Sequence, residues 1–116
     1  MAVRVRLSYE DKTMISVFAV MTAKAGLKQD ALKISRANLE AVRAEVGCHE
    51  YRLVDDVSNA GFFQKKLGEC SFAFIEQWES MAALEAHLAT PHMQAYAEKT
   101  KDLLDDSAIY VMQSAD

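Results

Sequence analysis

The run F-I-E-Q-W-E-S-M-A-A-L-E-A-H-L-A-T-P-H-M-Q-A-Y, residues 74–96, holds the only Trp, the only Pro and two of the three His of the chain. It passes through three local structures. Phe74 to Trp78 continue an apolar run begun at Phe72 and read as the end of a strand, with Phe72, Phe74, Glu76 and Trp78 on one face. Ser80 suits the N-cap of a short helix, because its hydroxyl can accept from an unpaired first-turn amide. In that helix Leu84, His87 and Leu88 lie at i, i+3 and i+4, so His87 shares the apolar face. Thr90-Pro91 then starts a second helix: Thr caps, and Pro at the first helical position loses no hydrogen bond. The three pieces bring Trp78, His87, His92 and Tyr96 within reach of one another.

Outward from this stretch, Ile15 to Ala23 is β-branched and apolar on both faces and reads as a strand covered on two sides. Lys28 to Val46 is the longest predicted helix, with residues 31, 32, 35, 38, 39, 42 and 46 on one stripe and Gly47 ending it. Cys48 to Val54 alternates, so that His49, Tyr51 and Leu53 face one way. Turn residues around Ser58-Asn59-Ala60-Gly61 return the chain through a hairpin. The second helix of the opening stretch is expected to run to about Leu104, with a last strand over Ala108 to Met112. Residues 1–13 read as an N-terminal extension, an edge strand or arm, before a domain of residues 14–116.

The order β-α-β-β-α-β predicts an α+β, ferredoxin-like sandwich: an antiparallel sheet with helices on one face. Because the first and third strands are apolar on both faces, the bare side calls for a cover. A second copy, giving a homodimeric α+β barrel, is the simplest one. A cavity is expected between sheet and helices within each subunit.

The net charge of −4 does not favour nucleic-acid binding, which needs clustered Lys and Arg. No apolar run reaches the ~18 residues of a membrane span, and residues 1–13 lack a signal peptide's apolar centre, so a cytoplasmic address is expected. Cys48 and Cys70 have no metal-ligand spacing, and the four glycines form no phosphate-binding pattern. His87 and His92 are five apart across a capped break, which matches no standard metal motif.

Four segments, E-V-G-C-H-E-Y, I-E-Q-W-E-S, L-E-A-H-L and T-P-H-M-Q-A-Y, together resemble the antibiotic biosynthesis monooxygenase superfamily over about residues 14–113. The chain is most similar to its bacterial quinol monooxygenase branch. That resemblance implies oxidation of a quinol by molecular oxygen, without a cofactor. The haem-degrading branch would place Asn, Trp and His where this chain has Ala19, His87 and Ala97, so haem degradation is not implied. The polyketide-oxidising branch shares Trp78 but has Asn where Phe74 stands. A branch that processes a phosphorylated signalling sugar is left open as an alternative, though no cluster of Arg or Lys accompanies the aromatic residues. A non-catalytic dimer that binds small aromatic or quinone ligands is the alternative from another class.

A quinol, once deprotonated, can give an electron to oxygen without a flavin or metal; the protein must take the proton, hold the ring and limit water. His87 is the first choice for the base and His49 the second. Trp78 and Phe74 are expected as aromatic walls, Tyr51 or Tyr96 as a donor to a quinol oxygen, and Leu53 and Leu84 as apolar lining. Glu76 shares the Trp78 face and is costly to bury unpaired, so structural pairing is expected of it before base chemistry. His92 lies in the first turn of its helix, where a capping or surface role comes before ligand contact.

Overall fold

The computed structural model describes residues 13–116. The predicted strand or arm at residues 3–7 lies outside them. Four strands, β1 (Ile15–Ala23), β2 (Cys48–Val54), β3 (Ser71–Trp78) and β4 (Leu104–Met112), form one sheet in the order β2-β3-β1-β4. Every neighbouring pair is antiparallel. Helices α1 (Lys28–Arg43), α2 (Met81–Leu88) and α3 (Pro91–Thr100) connect them, so the ferredoxin-like order is present with its second helix split in two.

β1 alternates buried and half-buried without a break, because its odd residues Ile15, Val17, Ala19, Met21 and Ala23 point to the helices. Its even residues point to the bare face, where Phe18 and Val20 line a groove of about 770 Å3 with Ile75, Tyr110 and Met112. β3 is the most buried strand: Phe72, Phe74 and Trp78 enter the helix-side core, and each such side chain stabilises the fold by about 1.5–3 kcal/mol. The two caps form as predicted. Ser80 Oγ accepts from the Ala83 amide at 3.2 Å and Thr90 Oγ1 accepts from the Met93 amide at 3.3 Å. Thr90 Oγ1 also donates to the His87 carbonyl at 2.9 Å, which fixes α3 to the end of α2.

Several predicted boundaries are corrected. α1 stops at Arg43, three residues early, and Val46 is exposed rather than on the core stripe. Leu88 is likewise exposed, leaving Leu84 and His87 as the buried residues of α2. α3 ends at Thr100, and β4 begins at Leu104 rather than Ala108.

The turn from α1 to β2 depends on Gly47, whose φ is +86°. A Cβ there would also lie 2.7 Å from the Ala83 Cβ on α2. Gly47→Ala is therefore expected to destabilise the fold by about 1–3 kcal/mol through strain and overlap together, read as a lower thermal unfolding midpoint. An unchanged midpoint would show that α2 is free to shift.

Candidate functional site: a carboxylate between two imidazoles

Glu45 sits in the tight turn that leaves α1, where its amide donates to the Val42 carbonyl and its carbonyl accepts from the Cys48 amide. Its carboxylate is held by two histidines. His87 Nδ1 is 2.9 Å from Oε2, and His92 Nε2 is 2.6 Å from the same oxygen. A carboxylate only accepts, so both rings donate to it, leaving His87 Nε2 and His92 Nδ1 as the basic nitrogens. The side chains grade inward in exposure: His92 28%, Glu45 11%, His87 2%.

Behind this chain lies an aromatic cluster. The His87 ring rests on Trp78 with centroids 4.5 Å apart and meets the edge of Tyr51 at 5.6 Å. Tyr51 stacks on Phe74 at 5.1 Å, and Phe74 meets Tyr96 edge-on at 6.3 Å. The Trp78 indole N–H donates to Glu76 Oε1 at 2.8 Å, a bond buried between two residues of one strand face. Burial holds the Glu76 carboxyl above its ordinary value, partly opposed by that hydrogen bond and by His87. Burial, with Glu76 nearby, also pushes the Tyr51 hydroxyl far up, so it stays a neutral donor. The Cys48 thiol is raised by burial and by Glu45, which keeps it protonated and inert.

The open space lies beside this cluster, not within it. Trp78 is fully buried and Phe74 nearly so, so neither walls a cavity as predicted. An open cleft of about 440 Å3 runs instead between α1 and α3, with Ile34, Ala37 and Ala95 as apolar walls and Asn38, His92 and Tyr96 as polar ones. Lys33, Lys99 and Asp30 also line it, so charges of both signs stand at the cleft. Tyr96 is fixed from below. Ser35 Oγ donates to the Ala31 carbonyl at 2.8 Å, so its 2.7 Å contact with Tyr96 has the tyrosine donating. Tyr96 is thus already spent as a donor.

The structure brings together His87, His92, Trp78, Phe74, Tyr51, Tyr96 and Glu76. Leu84 is buried in the same core, and Leu53 packs half-buried at its margin. His49 is not brought in. Cys48 pairs with Trp78 and Glu50 with Gln77, so His49 is the extra residue of a bulge. Past the bulge Tyr51 still faces inward while His49 turns out, half-exposed and 3.7 Å from Glu79. The same-face reading of His49 and Tyr51 is corrected on that ground.

Sequence reasoning missed Glu45, although a signal existed. An acid in the turn that ends a helix opposes the negative end of the helix dipole, and so calls for a compensating partner. Among the described residues, no group of three or more His, Cys, Asp or Glu side chains is placed to hold a metal ion. No helix among them is long and apolar enough to cross a membrane.

A one-sided ferredoxin-like sheet, with a histidine–carboxylate chain beside a packed aromatic cluster, defines a small α+β protein with an open cleft between α1 and α3. The chain belongs to the antibiotic biosynthesis monooxygenase family, whose model matches residues 14–99. It is 37% identical over 102 residues to the probable quinol monooxygenase YgiN of Escherichia coli K12, covering 86% of this chain and 97% of that one. It is 31% identical over 90 residues to the uncharacterised Synechocystis protein sll1783, covering 78% of this chain and 55% of that one. Among solved structures it resembles PA3566 of Pseudomonas aeruginosa, with a TM-score of 0.77 and 28% identity over 91% of this chain and 98% of that one. Rv0793 of Mycobacterium tuberculosis shares the fold at a TM-score of 0.75 and 22% identity, covering 90% of this chain and 97% of that one.

Proposed function

We propose that the protein oxidises a quinol or related dihydroxyaromatic with molecular oxygen, without a cofactor, in the cleft between α1 and α3. The observation that carries this reading is Glu45 shared by a cleft-lining His92 and a buried His87. The name of the Escherichia coli relative supports the substrate class.

In this reading His92, in place of His87, meets the substrate. His92 Nδ1 takes the hydroxyl proton, and the resulting imidazolium is held by Glu45 through Nε2. His87, behind, is a positioning residue that keeps the carboxylate aimed at His92. The quinolate gives one electron to oxygen, forming a semiquinone and superoxide. Transfer of the second electron and proton yields quinone and hydrogen peroxide. Recombination at a ring carbon, followed by loss of water, yields a hydroxylated quinone. Ile34, Ala37 and Ala95 hold the ring, and the Asn38 amide nitrogen, which among the described residues donates only to the weak acceptor Met93 Sδ at 3.4 Å, can turn to a substrate oxygen.

A second copy completes the fold. β4 is bare on both faces, with Ile109 and Val111 on the helix side and Tyr110 and Met112 on the other, all about half exposed. Together with the Phe18 groove they form an apolar surface of the kind a homodimer buries.

Oxygen uptake with a reduced naphthoquinone should exceed the spontaneous rate on the order of a hundredfold, the contribution of one well-placed base. The sealing of Trp78, the expected wall, favours a second reading in which the cleft binds quinones without turnover. Uptake at the spontaneous rate, with saturable quinone binding, would replace the enzyme by that binder.

A further inference from the structure

α1 has a second cleft on its other side. Leu32, Arg36, Leu39 and Arg43 recur at i, i+4, i+7 and i+11, and this stripe runs beside β2, the edge strand of the sheet. Between them lies a trough of about 290 Å3 whose opposite wall is Arg52, Leu53, Val54 and Asp55. Three guanidinium groups thus stand around a floor of Leu32, Leu39 and Leu53 in a protein of net charge −4.

The charges there are not balanced. Asp55, the only acid lining the trough, is engaged by Lys28 at 3.0 Å. Arg52 Nε pairs with Glu50 at 2.8 Å in an exposed contact, which is worth little in water. Arg43 Nε donates to the Tyr51 carbonyl at 2.9 Å, which orients its guanidinium and, among the described residues, leaves its other two nitrogens unbonded. Arg36 makes no hydrogen bond or ion pair with another of the described residues. A second hollow of about 380 Å3 shares Arg43 and Arg52, adds His49 and the Arg52 partner Glu50, and continues the trough along β2.

The geometry points to a binding site for a small amphiphilic carboxylate of the fatty-acid class, its head on Arg36, Arg43 and Arg52 and its chain on the leucine floor. An anchored guanidinium beside a free one suits a carboxylate, which takes paired N–H donors, and the aliphatic floor suits a chain rather than a bare inorganic anion. The site is separate from the α1–α3 cleft, which uses residues 30, 33, 34, 37 and 38 of the same helix.

Isothermal titration of the full chain with octanoate tests it without reference to turnover. Saturable binding is expected, weakened about tenfold in Arg36→Ala and in Arg52→Ala, the loss of one charge-assisted contact each. Leu53→Ser should weaken octanoate and leave inorganic phosphate unaffected. Circular dichroism of each variant confirms that the fold is kept. No saturable binding, or octanoate binding equal in wild type and both arginine variants, overturns the proposal. Phosphate binding as tight as octanoate also overturns it, by reducing the site to a plain anion patch.

Discussion

Replacing Glu45 by Gln is expected to lower the proposed quinol-dependent oxygen uptake about a hundredfold and to leave the fold in place. The amide fills the same space but carries no charge, so the imidazolium that forms on His92 loses its stabilising neighbour. Gln also presents one accepting oxygen and one donating nitrogen, whereas both imidazoles reach Glu45 as donors, to one oxygen. That oxygen has two lone pairs and can still accept both N–H bonds, so the substitution removes charge rather than pairing. Gln is the informative substitution because Ala would also strand the buried His87, at a cost of about 1–3 kcal/mol that confuses stability with catalysis. Steady-state oxygen uptake beside a thermal unfolding curve is the measurement. Wild-type uptake in a folded Glu45→Gln protein would remove the carboxylate from the reaction, and with it the reading of His92 as the base.

That residue was also the one the sequence concealed, and the reason is physical. Strand and helix periodicities report burial, so they placed Phe72, Phe74, Glu76 and Trp78 on one face and Leu84 with His87 on another, as the structure has them. The caps at Ser80 and Thr90 were legible because each needs only its own hydroxyl and one amide three residues on. Glu45 belongs to no periodic stripe. It works from a turn, and its partners lie 42 and 47 residues away. His49 failed for the opposite reason: strict alternation was assumed through a bulge, and one extra residue reverses the face of everything on its far side. Val46 followed the helical stripe in sequence, but it is the third residue beyond the end of α1. The cleft was misplaced because a sequence names aromatic residues without saying whether they line a space or fill it. Here Trp78 and His87 fill it against each other.

Removing that filling should have the largest effect on stability in the molecule. Trp78→Ala is expected to cost about 3–5 kcal/mol, the range for emptying a fully buried aromatic site, read by denaturant unfolding. Trp78→Phe is the sharper test, because it keeps an aromatic ring in the site while removing the pyrrole part of the indole, whose N–H Glu76 accepts. At neutral pH it should cost about 1–3 kcal/mol, the penalty for leaving a buried acceptor unmatched. The pH dependence fixes the cause. Burial raises the folded carboxyl of Glu76 above its unfolded value, so the native state binds more protons than the unfolded chain between the two. The stability this group contributes is therefore complete below the unfolded value and is lost as pH rises through the folded one. Loss of the indole donor pushes the folded value higher still, so the Trp78→Phe penalty should shrink on moving from neutral to mildly acid conditions. Glu76→Gln keeps an oxygen for Trp78 but has no proton to lose, so it should be more stable than wild type at neutral pH. In the double variant the Trp78→Phe cost should no longer vary with pH. A Trp78→Phe penalty that is constant across that range, or a Glu76→Gln protein weaker than wild type at neutral pH, would mean that the buried carboxylate gains more from His87 than burial takes away.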